Sequence, residues 1–177
     1  MNNKVVLVIL NGHAGVGKDT FVKLCIKNSK NIYPCNILNY HRSDRAKTAM
    51  RVLGWDEEKT DFTRQMMKNM VDYMEDIGTL NRDLFQQIEI CSMRDTDQVI
   101  FYHVRDPEKI QNLLKLCEEK GVKALSVLIK RDTPNQEPLW WDDLEKAEYD
   151  MTIQLPPNDM EKTKELAYTF MGYLSHM

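Results

Sequence analysis

The chain of 177 residues is 42% hydrophobic and 29% charged, enough to bury one good core and short for two, so a single globular domain over residues 1–177 is expected. A formal net charge of -3 gives no electrostatic ground for a nucleic-acid partner, since such proteins carry a surplus of Lys and Arg, but it leaves room for a small anion held by local cations. Cys25, Cys35, Cys91 and Cys117 stand far apart with no C-x-x-C pair, which argues against a zinc ribbon or a disulfide framework and for reduced, buried thiols. The apolar run over 5–10 is too short for a signal segment and no stretch approaches a membrane span, so a cytoplasmic chain with no membrane partner is expected.

Residues 4–11, KVVLVILN, form a continuous apolar run rich in β-branched residues, the pattern of a strand buried on both faces. Glycines follow, and then KDTFVKLCIK over 18–27 carries Phe21, Leu24, Cys25 and Ile26 at helical spacing. A second strand is predicted near 36–40, and then a helix capped by Ser43 and stopped by Gly54. Phe62, Met66, Met70, Tyr73 and Met74 share one face of a longer helix running towards Gly78, most simply as core packing. A further helix is read over 84–92. DQVIFYHV, 97–104, resumes the strand pattern, Pro107 starts an amphipathic helix, and Gly121 stops it. Strands over 122–130 and 149–155, with a short helical piece at 144–148 between them, precede a last helix. This alternation predicts an α/β protein whose ligands bind at the carboxyl ends of parallel strands. The polar stretch 131–143, with Pro134 and Pro138, reads as a mobile, lid-like loop.

The segment LNGHAGVGKDT, 10–20, is the most informative one. Gly12, Gly15 and Gly17 allow a sharp turn whose backbone N–H groups face anionic oxygens, and the helix that follows adds partial positive charge. Gly12, His13, Ala14, Gly15, Val16, Gly17, Lys18, Asp19 and Thr20 are therefore candidate ATP-binding residues, with Lys18 reaching the terminal phosphates. Asp19 replaces the hydroxyl that ordinarily meets magnesium, and Thr20 follows one place late. Asp19 reads equally well as facing cations or a magnesium hydration shell and as a first-turn carboxylate satisfying the helix N-terminus.

GKDT resembles the variant loop of deoxynucleoside monophosphate kinases of the phage type. SDRAKTAMRVLGWD, 43–56, is similar to that family's A-D-P-L-K motif and the following G-W-D, with Asp44, Lys47, Gly54, Trp55 and Asp56 at comparable places. HVRDPEK, 103–109, looks like the family's D-V-R-F-P-N-E, keeping Arg105 and Pro107, and AEYDMTIQL resembles its last strand. The resemblance implies a three-layer α/β/α P-loop kinase fold on a five-stranded parallel sheet, and transfer of the ATP γ-phosphoryl group to a deoxynucleoside monophosphate, with Mg2+. It also implies roles. Lys18, Arg105, Arg131 and Asp19 would be catalytic; Asp44, Lys47, Arg42 and Arg64 would hold the acceptor; Asp19 and Asp106 would serve the metal. Pro156, Pro157 and Asn158 occupy the place where related kinases hold adenine, Trp140 and Trp141 are expected to pack the loop onto the core, and a homodimer through the 62–76 helix is open.

One position departs from the family. An aspartate that would help hold magnesium is replaced by His103, which at its ordinary pKa of about 6.5 is mainly neutral at pH 7. A unit charge at about 4 Å and an effective dielectric of about 20 is worth about 4 kcal/mol, less through water. Asp19, Asp44 or Asp106 supplying the carboxylate, a donor bound without a tightly held metal, and a nucleotide-binding module without efficient turnover are the competing explanations. A P-loop kinase for another phosphorylated metabolite is a further alternative.

Overall fold

A computed structural model describes residues 4–131, 144 and 148–177. The predicted lid-like loop beyond Arg131, Trp140 and Trp141, and most of the 144–148 piece lie outside them. In chain order the elements are β1 (Val5–Asn11), α1 (Lys18–Ile32), β2 (Asn36–His41), α2 (Asp44–Val52), α3 (Asp61–Asp76), α4 (Thr79–Ser92), β3 (Gln98–His103), α5 (Pro107–Glu119), β4 (Lys123–Arg131), β5 (Met151–Leu155) and α6 (Met160–His176). All four strand pairings are parallel, in the order β2-β3-β1-β4-β5.

Strand alternation sorts the core into two layers. Val6, Val8 and Leu10 of β1 and Val99 and Phe101 of β3 pack with Phe21, Val22 and Cys25 of α1 and Ala167, Phe170, Met171 and Leu174 of α6. Leu7, Ile9, Ile100 and Tyr102 face the other way, against Leu84, Ile88 and Cys91 of α4 and Ile110, Leu113 and Cys117 of α5. This is the expected three-layer α/β/α architecture. Because α1 leaves β1 to one face and α5 leaves its neighbour β3 to the other, a crevice opens at the carboxyl ends of these two strands.

Local stops agree with the sequence reading. Gly54, Gly78 and Gly121 all have positive φ at helix ends, and Pro107 follows Asp106, whose side chain caps α5. Ser43 precedes α2 but makes no side-chain cap bond. The methionine-rich stripe of α3 departs from expectation: none of its residues is fully buried, and Phe62 and Tyr73 are exposed. A 3.6-residue period locates an apolar face without specifying what covers it. Among the described residues, no helix is long and apolar enough to cross a membrane.

Candidate functional site

The loop between β1 and α1 is shaped by glycine. Gly12, Gly15 and Gly17 have φ of 142°, 76° and 103°. At Gly12 space is also limiting, since a Cβ there would lie 2.4 Å from the carbonyl oxygen of Ile129 on β4. The loop is anchored by Asn11, the buried last residue of β1. Its Oδ1 accepts from Gly12 N at 2.7 Å, and its Nδ2 donates to the Arg105 carbonyl at 3.1 Å and to the Tyr149 hydroxyl at 2.7 Å. One side chain thus joins the loop, the end of β3 and the approach to β5.

Two cations flank the loop. Lys18 is the first residue of α1, and its ammonium group donates to the carbonyls of Gly12 and His13, lying across the loop. Arg131 ends β4, and its Nη2 would stand 3.1 Å from a Cβ on Gly17. Its buried Nε has no hydrogen-bond partner among the described residues. The guanidinium thus lies beside Gly17, the residue at the N-terminus of α1, a place suited to a polyanion.

The other predicted residues are spread over both sides of the crevice. Asp44 accepts from His41 N at 3.0 Å and pairs with Lys47 at 2.8 Å; burial raises its carboxyl pKa, but these bonds outweigh it and leave the group below its usual range. Arg105 is exposed two residues after β3. Asp106 is engaged as the α5 cap, accepting from Glu108 N at 3.0 Å and Lys109 N at 3.4 Å. Arg64 is an exposed residue of α3 paired with Asp61 at 3.4 Å. Arg42, expected at the acceptor, forms an ion pair with Glu75 of α3, which also receives Lys109 at 2.9 Å. These three residues, with Asn81, Tyr102 and Asn112, line a cavity of about 160 Å³.

A second cluster adjoins the loop. Parallel register sets His41 at the end of β2 directly beside His103 at the end of β3, and their rings stack with centroids 3.9 Å apart and 16° between planes. Asp19, in the first turn of α1, approaches both: its Oδ1 lies 3.2 Å from His41 Nε2 and 4.0 Å from His103 Nε2. Asn39 Oδ1 is 2.7 Å from His103 Nε2. Burial, with His41 beside it, pushes the His103 pKa down to about 3 in spite of Asp19, so the ring is neutral at physiological pH. An uncharged imidazole therefore stands where a carboxylate was expected. His41, Asn39 and Asn11 were not singled out from sequence; the only local signal for His41 was its place at the end of the predicted second strand.

Comparisons with known proteins bear on the fold alone. No family model matches the chain, and no curated protein does. Among solved structures, a variant of the Mycobacterium tuberculosis APS kinase CysC is 16% identical with a TM-score of 0.51, covering 97% of this chain and 98% of that one. The same kinase in complex with AMPPNP and APS is 13% identical at the same TM-score and coverage. The chain has the P-loop NTPase fold. Within that fold, the 12–20 segment is the P-loop position by its place after the central strand β1 and before α1.

Proposed function

We propose that this P-loop protein is a kinase that takes a phosphoryl group from ATP and transfers it to a small phosphorylated acceptor, with a deoxynucleoside monophosphate as the first acceptor class. The observation that carries the reading is the pairing of a glycine-shaped loop with Lys18 across it and the half-buried Arg131, its buried Nε unpartnered among the described residues, at Gly17. Phosphoryl transfer depends mainly on positioning and on neutralising charge spread over the transferred oxygens. Lys18 and Arg131 supply positive charge on the donor side. In this reading Asp44–Lys47 at the start of α2 and Arg105 after β3 receive the acceptor phosphate, and Arg42, paired with Glu75, is left out of that role. The resemblance of 43–56 and 103–109 to phage-type kinases supports the nucleotide acceptor. The fold neighbour solved with APS makes that nucleotide a second acceptor to include.

The test is an ADP-release assay across the common nucleoside and deoxynucleoside monophosphates and APS. One clear acceptor is expected, with turnover abolished by Lys18→Ala. ATP binding without ADP formation from any acceptor would overturn the kinase reading in favour of a nucleotide-binding module, which the neutral His103 motivates.

A further inference from the structure

Asp19, His41 and His103 each offer one ligand atom, and these atoms lie within 4.8 Å of one another. They come from three separate elements: the first turn of α1, the end of β2 and the end of β3. From this convergence we propose that the chain binds one first-row divalent transition-metal ion, of the zinc or cobalt class, through Asp19, His41 and His103.

Donor chemistry decides the ion. Magnesium takes oxygen ligands in near-ideal octahedra and keeps most of its water, so two imidazoles and one carboxylate do not fit it as a protein-held ion. The same set suits zinc and its neighbours, for which two histidines and a carboxylate leave at least one position open. Distances are compatible. Ligand atoms around tetrahedral zinc stand about 3.3 Å apart, given metal–ligand bonds of about 2.0 Å. The Asp19–His41 separation is already 3.2 Å, and His103 at 4.0 Å closes by rotation of a side chain. Stacked rings aim their nitrogens side by side, so one imidazole must turn to share an ion with the other. Binding takes His103 Nε2 from Asn39 and moves the ring proton to Nδ1. The Asn39 amide oxygen, 2.7 Å from that nitrogen, is then placed to complete the set.

An Asp19–His41 ion pair and a His103–Asn39 hydrogen bond would satisfy these side chains without an ion. That purely structural arrangement makes a different prediction: divalent ions would not bind at this cluster. Asp19 follows Lys18 directly, so a bound ion would lie beside the phosphate loop; only this last consequence rests on the kinase reading.

The experiment uses the full chain, stripped with a chelator and free of nucleotide, titrated with Co2+ and followed by visible absorption. One equivalent is expected, with the d–d bands of a four- or five-coordinate ion, displaced by stoichiometric Zn2+ and indifferent to millimolar Mg2+. Asp19→Asn and His41→Gln should each weaken binding by about tenfold or more, at least the loss seen when an outer partner is removed. Asp19 is exposed, so its variant keeps the test valid if a histidine variant misfolds, and circular dichroism checks each protein. His176→Gln, at the far end of α6, should change nothing. Absence of stoichiometric Co2+ binding, or binding unchanged in folded Asp19→Asn and His41→Gln, overturns the site. Cobalt binding without ADP release would refute the kinase reading alone, and ADP release without cobalt binding would refute the metal site alone.

Discussion

Replacing Asn11 by alanine should damage the protein more than its inconspicuous place at the end of an apolar strand suggests. Asn11 is 1% exposed and holds three partners: the Gly12 amide, the Arg105 carbonyl and the Tyr149 hydroxyl. Truncation leaves these polar groups behind without bringing water, and a buried group left unpaired costs about 1–3 kcal/mol. With partial relaxation around the exposed Arg105 and the half-buried Tyr149, the sum is about 3 kcal/mol, a large share of the roughly 5–15 kcal/mol by which domains are stable. For a domain of this size each kcal/mol shifts Tm by about 2–4 °C, so a fall of roughly 6–12 °C is expected in thermal unfolding followed by circular dichroism.

Asn11→Asp separates the loop contact from the others. It keeps an oxygen for Gly12 N and one that accepts from the Tyr149 hydroxyl, but loses the bond to the Arg105 carbonyl and turns a carboxylate oxygen towards it. If the anchoring argument is right, both variants lose stability, and both weaken binding of a fluorescent ATP analogue in the protein that remains folded. A Tm within about 2 °C of the parent for Asn11→Ala would refute it, because the change corresponds to less than the cost of one unpaired group.

Arg131→Met should weaken the ATP analogue by about 10–100-fold, the value of one charge-assisted hydrogen bond, while leaving Tm unchanged or raised, because an unpaired buried Nε is removed; unchanged affinity in titration calorimetry would remove Arg131 from the phosphate site. The thiols should be slow to react in the folded chain: burial pushes Cys35 and Cys117 up to about 11 and raises Cys25 and Cys91, so a chromogenic disulfide reagent at pH 7.5 should count four thiols quickly only after denaturation. Their linkage has a definite sign: thiols with folded pKa values above the ordinary 9.0 favour the protonated fold, so stability is full below pH 9 and falls as pH rises towards 11. Cys117→Ala should lessen that alkaline loss relative to the plateau at pH 7, as read by thermal melts at each pH.

The parts of this protein that were legible in its sequence are those whose physics is local. β1 reads as an apolar run because both its faces are covered, by α1 and α6 on one side and by α4 and α5 on the other. The sharp turn between β1 and α1 reads from the sequence because its positive-φ glycines and the following helix are contiguous. Helix stops at Gly54, Gly78 and Gly121 follow from backbone conformations that glycine adopts at little cost. Asn11 was hidden because a polar residue at the end of a strand has no periodic signature; its partners are up to 138 positions away. The setting of Arg42 was hidden for a related reason. Its distance in sequence from the acceptor motif is small, but it is turned to the layer of α3 and α5, where Glu75 neutralises it.

His103 shows what sequence comparison alone could and could not supply. As a substitution for aspartate it reads as a missing charge, and its burial as a neutral ring sharpens that loss. Parallel register adds what the sequence did not contain, a second histidine beside it and a carboxylate across from both. A lost oxygen ligand and a gained pair of nitrogen ligands are different chemical statements. The first predicts a kinase weakened towards magnesium, and the second predicts a change in which ion the site prefers. His103→Asp therefore discriminates between them: it should lower Co2+ affinity by about tenfold or more, the cost of disturbing a ligand set, whichever way turnover moves. Were Co2+ affinity unchanged while turnover with magnesium rose, His103 would be only a missing aspartate.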